Sequence, residues 1–291
     1  MVVAVGQKSA LITGCTAGGI GHALALEFYK QGFRVFATAR RLDAIQDLHD
    51  KGLETVALDV TEDTSVKAAA AHVADLTGGT LDVLVNNAGQ GYREAATDFD
   101  VSRAQAAFDT NLFGVMRMVR DFAPLLVKAK GKILNVGSVA GLIPSPFRSI
   151  YSATKAALHS YGDSLRLEMK SFDVTVVTLM TGGVTTKMST KPPPSEGIIP
   201  PESLYWPAAE VINDLYSNQA DNAMSPAEYA RRIVAFAQSS KDVPWFWEGN
   251  FATAIWFMTT FLSKKALEGI LGRAIKGMAE MESLIRGAKS S

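Results

Sequence analysis

The sequence has one cysteine, no net charge and no long apolar run. Cys15 is its only cysteine, which excludes an internal disulfide framework and is typical of a reducing compartment. Lys and Arg together number 29, as do Asp and Glu, so no overall field favours nucleic acid or an anionic membrane. We therefore expect no nucleic-acid partner.

A membrane-spanning segment and a leader peptide are also missing from the pattern. The uncharged stretch 251–262 is a dozen residues long, against the ~20 that a spanning helix needs. At the other end, MVVAVGQKSA is too short before its first charge to be a secretory signal. These features predict a cytoplasmic protein.

The four histidines lack the spacing of metal ligands. His22, His49, His72 and His159 form no pair of the HExxH kind, and each is expected to be a helix-surface or partly buried imidazole. Cys15 lies inside a glycine-rich loop, where a small filler is expected rather than a nucleophile. The sequence therefore predicts no metal site.

Strand-like apolar runs alternate with helical periodicity over the first 180 residues. The runs lie at 10–13, 33–39, 54–60, 81–86, 132–138 and 174–180, and helical spacing occurs at 20–31, 42–51, 63–77, 102–129 and 150–171. Such alternation predicts βαβ crossovers and an α/β, Rossmann-like, doubly wound parallel sheet. With 243–249 as a last strand, we expect one domain of about seven strands over residues 1–250.

The chain changes character at Lys187. The stretch KMSTKPPPSEGIIPPESLYWP carries six prolines and excludes long regular structure, so 187–224 is predicted to be a substrate loop. Ser225 as N-cap, followed by proline and then glutamate, predicts a helix over 225–238. Residues 251–291 are predicted to form a hydrophobic and amphipathic helical extension.

Three interpretations of this extension stay open. Three of the four tryptophans, Trp245, Trp247 and Trp256, cluster just before and within its first residues together with several phenylalanines, and Lys264 and Lys265 follow. Such a segment packs as core and as the interface of a homo-oligomer, lies on an intracellular membrane or lipid droplet, or covers a substrate cavity.

The stretch TGCTAGGIGHALA, residues 13–25, joins an apolar run to a helix start. Backbone N–H groups and the helix dipole together attract phosphate there, and glycine lets phosphate approach the chain. The expected contacts are Gly14, Gly19, Ile20 and Gly21. A tight turn that binds nothing is the alternative interpretation of glycines alone.

Polar residues at the ends of the next strands fit the same dinucleotide site. The second strand ends in TARR, so that Arg40 or Arg41 reaches the adenosine ribose, where a guanidinium favours a 2′-phosphate and therefore NADPH. Asp59, in LDVT, is expected to accept from the adenine amino group. Asn87, in NNAG, borders the adenosine in the same scheme.

Together these motifs resemble the short-chain dehydrogenase/reductase family, whose pattern is Thr-Gly-x-x-x-Gly-x-Gly, then Asp, then Asn-Asn-Ala-Gly. The resemblance covers residues 7–186. One departure is that four residues, 15–18, separate Gly14 from GIG, where the family pattern has three. Gly18 is expected to let the longer loop bulge.

A second group of residues carries the expected chemistry. YSATK puts Tyr151 and Lys155 one helical turn apart, with Ser138 at the end of the fifth strand and Asn111 in a long helix. Reducing a ketone places negative charge on its oxygen, which the site must polarise and then protonate. An ordinary tyrosine, with a pKa of about 10, holds its proton tightly, and a nearby ammonium favours the phenolate.

The resemblance implies a role for each of these side chains. Tyr151 would be the acid/base, Ser138 would orient the substrate, Lys155 would bind the nicotinamide ribose and Asn111 would hold a water of a proton relay. The segment TGGVTT, residues 181–186, resembles the part of the family that closes over the nicotinamide amide. There Val184 and Thr186 match the family pattern, whereas a threonine replaces its proline.

The substrate loops favour an apolar ketone. The segment 141–150, GLIPSPFRSI, and the proline-rich loop both lean apolar, with Arg148 and Lys187 as the nearby cations. The combination of motifs resembles the NADPH-dependent acyl-dihydroxyacetone-phosphate reductase branch, which implies reduction of a keto group on a lipid precursor. A ketoreductase of a secondary-metabolite pathway and a non-catalytic binding or scaffolding protein are the alternatives.

Overall fold

A computed structural model describes residues 7–186, 198–217, 223–275 and 277–289. One parallel sheet of seven strands runs through them in the order β3-β2-β1-β4-β5-β6-β7. The strands are β1 (Ser9–Ile12), β2 (Arg34–Ala39), β3 (Glu54–Ala57), β4 (Val83–Asn86), β5 (Lys132–Val136), β6 (Thr175–Thr181) and β7 (Trp245–Glu248). The strand order changes direction between β1 and β4, where open α/β sheets form a crevice at their carboxyl edge.

Helices cover both faces of this sheet. They are α1 (Ile20–Lys30), α2 (Gln46–Asp50), α3 (Asp63–Thr77), α4 (Val101–Phe108), α5 (Gly114–Ala129), α6 (Ser149–Met169), α7 (Ala209–Ser217), α8 (Pro226–Gln238), α9 (Ala252–Phe261), α10 (Lys264–Ala274) and α11 (Met278–Lys289). The doubly wound architecture expected from the sequence is confirmed, with seven strands.

Alternate residues of each strand pack on opposite faces of the sheet. Leu11 contributes to the core under α3, α5 and α6, whereas its neighbour Ile12 contributes to the core under α1 and α8. Both side chains are fully buried. Because both faces are covered, the strands appear in the sequence as continuous apolar runs rather than as alternating patterns.

The predicted helix 102–129 is interrupted in the structure. A π-helical turn, Asp109–Phe113, separates α4 from α5, and it places Asn111 with 1% of its surface exposed. Single π-helical turns inside helices occur frequently at functional sites. Helical periodicity does not reveal such an insertion, because apolar spacing on either side is unchanged.

The last helix folds back on the domain. Met278, Met281 and Ile285 of α11 pack against α7 and against a separate hydrophobic cluster that includes Phe147 and Ile198. In the described part of the chain, no helix is both long and apolar enough to cross a membrane.

The predicted domain boundary at residue 250 stays a prediction. Of the predicted substrate loop, residues 187–197, which include Lys187, and residues 218–222 lie outside the described residues.

Candidate active site

A cavity of about 560 Å³ opens at the carboxyl edge of the sheet. It runs from the loop after β1 to the turn after β6. Most of the site residues expected from the sequence line it: Gly14, Gly19, Ile20, Arg40, Asp59, Asn87, Ser138, Tyr151, Lys155, Val184 and Thr186. Gly21, Arg41 and Asn111 do not line this cavity.

The glycine loop is fastened to the end of β4. The Asn87 side-chain amide donates to the carbonyl oxygens of Thr13 at 2.7 Å and of Gly14 at 3.1 Å. Gly14 has φ +72° and its Cα faces Ala88 so closely that a Cβ would lie 2.9 Å from the Ala88 Cα. Glycine is required there both for the left-handed backbone and for the contact.

Close packing requires a glycine at position 21. A Cβ at Gly21 would lie 2.4 Å from Nδ2 of Asn87 and 2.5 Å from the carbonyl oxygen of Gly14. The absent side chain therefore lets α1 begin directly against the loop. Gly19 is the N-cap of α1, and no side chain accepts from the first N–H groups of this helix in the described residues. These N–H groups and the positive end of the helix dipole are therefore available to an anion in the cavity.

The two arginines after β2 have different surroundings. Arg41 is held at the surface by Asp43, with Nη2–Oδ2 and Nε–Oδ1 distances of 2.6 and 3.1 Å. Arg40 is exposed and lines the cavity. Asp59, across the same end of the cavity, accepts from the backbone N–H and hydroxyl of Thr61 at 3.0 and 2.7 Å. Arg40 is therefore the guanidinium that can reach an anion at this end.

Tyr151 and Lys155 lie together at the opposite end. The Lys155 Nζ is 5.9 Å from the centroid of the Tyr151 ring, and both side chains are buried. This Nζ donates to the carbonyl oxygen of Val136, at the end of β5, at 2.8 Å. Burial lowers the pKa of Lys155, and the opposing effect of Tyr151 is smaller. The ammonium is thus fixed between a strand end and the phenol.

Ser138 is positioned by a histidine that sequence analysis assigned no function. The backbone N–H of Ser138 donates to Nε2 of His159 at 3.3 Å, and its Oγ accepts from the N–H of Ala140 at 3.2 Å. Burial, and then the charge of Lys155, lower the pKa of His159 to about 4. The ring is therefore neutral and accepts at Nε2, which places its proton on Nδ1, an atom without a hydrogen-bond partner among the described residues.

Asn111 connects two elements beside the cavity rather than lining it. Its side-chain amide donates to the Gln90 carbonyl oxygen and to the Thr154 hydroxyl, both at 3.0 Å, and its Oδ1 accepts from the Gln90 N–H at 2.8 Å. Thr154 precedes Lys155 in α6. The π-helical turn thus fastens α6 to the loop after β4, and the expected water-holding role of Asn111 stays a prediction.

The turn after β6 is tied to α8. Oγ1 of Thr181, the residue that replaces the family's proline, lies 2.7 Å from the hydroxyl of Tyr229, and either group can donate. Val184 forms a parallel bridge with Met224 just before α8. Burial raises the pKa of Tyr229, which keeps that hydroxyl protonated. A buried hydrogen bond thus fixes the strand end that the proline would otherwise have stiffened.

Part of the cavity wall was not predicted from the sequence. Gln90, Tyr92 and Arg93 reach it from the irregular loop after β4, which carries no periodic signal. Burial, and then a hydrogen bond with Glu94, raise the pKa of Tyr92 to about 12. Since NNAG ends β4 at the carboxyl edge, proximity to that motif is the signal that could have identified this loop.

These positions agree with a match to a known family. The model of the short chain dehydrogenase family matches residues 8–196. The chain belongs to this family. It is therefore an oxidoreductase.

Two curated relatives and one solved structure illustrate the likeness. A short-chain dehydrogenase of Pyricularia oryzae is 40% identical over 93% of this chain and 95% of its own length. The NADPH-dependent 1-acyldihydroxyacetone phosphate reductase of Schizosaccharomyces pombe is 43% identical over 71% of this chain and 70% of its own. The crystal structure of a short-chain dehydrogenase from Streptomyces avermitilis has a TM-score of 0.76 and 26% identity, covering 98% of this chain and all of that one.

Proposed function

We propose that this short-chain dehydrogenase reduces a ketone to a secondary alcohol with NADPH. The observation that carries the proposal is the convergence of Ser138, Tyr151 and Lys155 at one end of a cavity whose other end holds Arg40. A dinucleotide is long enough to require both ends of such a cavity. The NADPH dependence named for the Schizosaccharomyces pombe relative supports this choice of cofactor.

The residues at the cavity fit this cofactor. Gly14 and Gly19 leave bare backbone, and the open N-terminus of α1 offers N–H donors to a pyrophosphate. Arg40 supplies a cation where a ribose 2′-phosphate would lie, and Arg41 is already paired with Asp43. When bound, reduced nicotinamide supplies the hydride for the carbonyl carbon. Val184 and Thr186 are proposed to close over its amide.

The chain's own side chains would manage the charge on the oxygen. The Oγ of Ser138 accepts from a backbone N–H, so its O–H is free to donate to the substrate carbonyl oxygen. Tyr151 then donates its proton to the developing alkoxide. The Lys155 ammonium favours the resulting phenolate, and it is placed for this by its bond to the Val136 carbonyl oxygen.

We assign the substrate to the apolar ketones. Ile143, Val139 and Ala140 line the cavity near Ser138. The reductase activity named for the Schizosaccharomyces pombe relative favours an acyl-dihydroxyacetone-phosphate-like lipid precursor. A ketone of a secondary-metabolite pathway is the alternative substrate, and the non-catalytic dinucleotide-fold protein is the alternative function.

The proposal is tested by NADPH consumption against a panel of long-chain and aromatic ketones. Tyr151→Phe removes the proton donor, so we expect kcat to fall by about 100-fold or more with NADPH binding retained. Tyr161→Phe is the matched control, because Tyr161 lies on the same helix and does not line the cavity. Equal rates for the two variants would contradict the proposed role of Tyr151 as proton donor. No turnover of any ketone despite tight NADPH binding would favour the non-catalytic alternative.

For the extension we propose contact with an anionic membrane surface. Phe251, Trp256, Phe257 and Phe261 on and beside α9 are 69%, 42%, 56% and 63% exposed. The exposed Lys264 and Lys265 follow at the start of α10, so cations adjoin the apolar surface, as they do in interfacial helices. The cytoplasmic location and the homo-oligomer expected from the sequence stay predictions.

A further inference from the structure

Arg148 occupies an unusual position beside the proposed catalytic tyrosine. It is the N-cap residue of α6, and its guanidinium carbon lies 4.8 Å from the centroid of the Tyr151 ring. The side chain lines the cavity. In the part of the chain that the structure describes, no oxygen accepts from this guanidinium, and its Nε is buried without a partner.

The backbone before Arg148 holds it in this position. Phe147 has φ +56°, a left-handed conformation that is strained for a bulky residue and that is often kept at functional sites. Its ring is buried and packs edge-on against Tyr205 at 5.3 Å, and its carbonyl oxygen accepts from the Glu94 N–H at 3.0 Å. The strained residue thus buries its own ring while its neighbour faces the cavity.

The charges of the cavity wall are unbalanced at this end. Arg148 and Lys155 line it together with Tyr151, and Asp59 at the opposite end is the one carboxylate among the described lining residues. Glu94 lies near in the chain, but its carboxylate pairs with Arg103 at 3.4 Å. A partly buried guanidinium without an acceptor is unfavourable, and an oxyanion in the cavity would remove that cost.

We propose that Arg148 binds an oxyanion, carboxylate or phosphate, carried by the substrate close to its ketone. The planar guanidinium donates two parallel hydrogen bonds to such a group, and its contact with the Tyr151 ring places the anion beside the reacting carbonyl. The apolar wall at Val139, Ala140 and Ile143 would receive the rest of the molecule. This narrows the apolar ketones proposed above to amphiphilic ones, which carry an anionic group beside an apolar part. This inference rests on the proposed reduction at Tyr151.

The test compares matched ketones that differ in charge. One pair is 3-oxooctanoate and its methyl ester, which probes a carboxylate, and the other is dihydroxyacetone phosphate and dihydroxyacetone, which probes a phosphate. For Arg148→Gln we expect KM for the preferred anionic ketone to rise about tenfold or more, with KM for its neutral partner within about twofold. Arg148→Lys should restore part of the affinity for the anionic ketone, because lysine keeps the positive charge but lacks the two parallel N–H donors of the guanidinium.

Arg231→Gln is the matched control. Arg231 is an exposed arginine on α8 that does not line the cavity. It should leave the preference for anionic ketones unchanged. Thermal unfolding of each variant verifies that it folds.

Calorimetric binding of the same ketones to the NADP⁺ complex separates the two proposals. If the wild-type protein reduces no ketone, the proposed function fails, and calorimetry still decides whether Arg148 selects the anion. If Arg148→Gln weakens the binding of charged and neutral ketones equally, the inference is overturned and Arg148 is a residue that positions Tyr151. Preference of the wild-type protein for the neutral member of both pairs would also overturn it.

Discussion

Arg40 and Arg41 are adjacent in the sequence but have different surroundings. The Asp43 carboxylate accepts from Nε and Nη2 of Arg41 at the surface, whereas Arg40 borders the cavity. Arg41 does not line the cavity, and it would have to leave Asp43 to reach a phosphate there. Recognition of a 2′-phosphate is therefore proposed for Arg40 alone.

This assignment predicts a selective kinetic effect. Arg40→Ala should raise KM for NADPH about tenfold or more and change KM for NADH little, because NADH lacks the 2′-phosphate. Arg41→Ala, the adjacent control, should stay within about twofold for both cofactors. Steady-state kinetics with each cofactor measure the four values. A similar loss with NADPH and NADH in Arg40→Ala would contradict the assignment.

At the scale of the element, α6 organises much of the site. Tyr151, Lys155 and His159 follow one another at four-residue intervals and share one face of the helix. The first two line the cavity, and the third accepts from the Ser138 backbone behind it. One rigid helix thus sets the relative positions of the phenol, the ammonium and the serine.

The buried His159 makes stability depend on pH. Its pKa in the folded protein is about 4, below the ordinary 6.5, so between these values the unfolded chain binds more protons. The contribution of His159 to the free energy of unfolding should be fully present above pH 6.5. It should be lost progressively as the pH drops towards 4, by on the order of 3 kcal/mol at most.

Chemical unfolding at pH 7 and pH 5 measures this dependence. His159→Gln keeps an acceptor for Ser138 but cannot titrate, so it should lose much of the difference between the two pH values. His72→Gln on α3 is the control, since His72 is exposed. An unchanged pH dependence in His159→Gln would show that other groups cause it.

At the scale of the whole molecule, the carboxyl-terminal helices divide into two kinds. The helix α11 packs on α7 and extends a hydrophobic cluster that holds Phe147, next to Arg148. The helix α9 instead leaves aromatic side chains exposed, two of which, Phe257 and Phe261, contact each other with ring centroids 4.9 Å apart. An exposed aromatic cluster beside lysines is typical of a surface that contacts a membrane or a partner protein.

Flotation with liposomes tests the membrane contact. We expect the full chain to float with vesicles that contain phosphatidylserine and to float less with neutral phosphatidylcholine vesicles, because Lys264 and Lys265 favour anionic headgroups. Phe257→Ser combined with Phe261→Ser should reduce binding several-fold. Phe172→Ser, at an exposed phenylalanine elsewhere, is the control. If the double variant floats as well as this control, the aromatic surface serves another purpose.

The sequence by itself determined the sheet and much of the cavity wall. The continuous apolar runs, the glycine loop and the YSATK segment are local patterns, and each strand end leads to the same edge because parallel strands point the same way. Family membership and the α/β fold were predictable for this reason. The roles of Tyr151, Lys155 and Ser138 follow from the same motifs and stay predictions.

Tertiary structure decided what depends on contacts between distant segments. It separated Arg40 from Arg41, buried His159 behind Ser138, and brought the strained Phe147 under α11 so that Arg148 faces Tyr151. Burial, pairing and backbone strain at these residues arise from parts of the chain that are far apart in sequence, so no local pattern encodes them. The sequence therefore specified which groups reach the cavity edge, and the packing of the folded chain specified which of them remain available there.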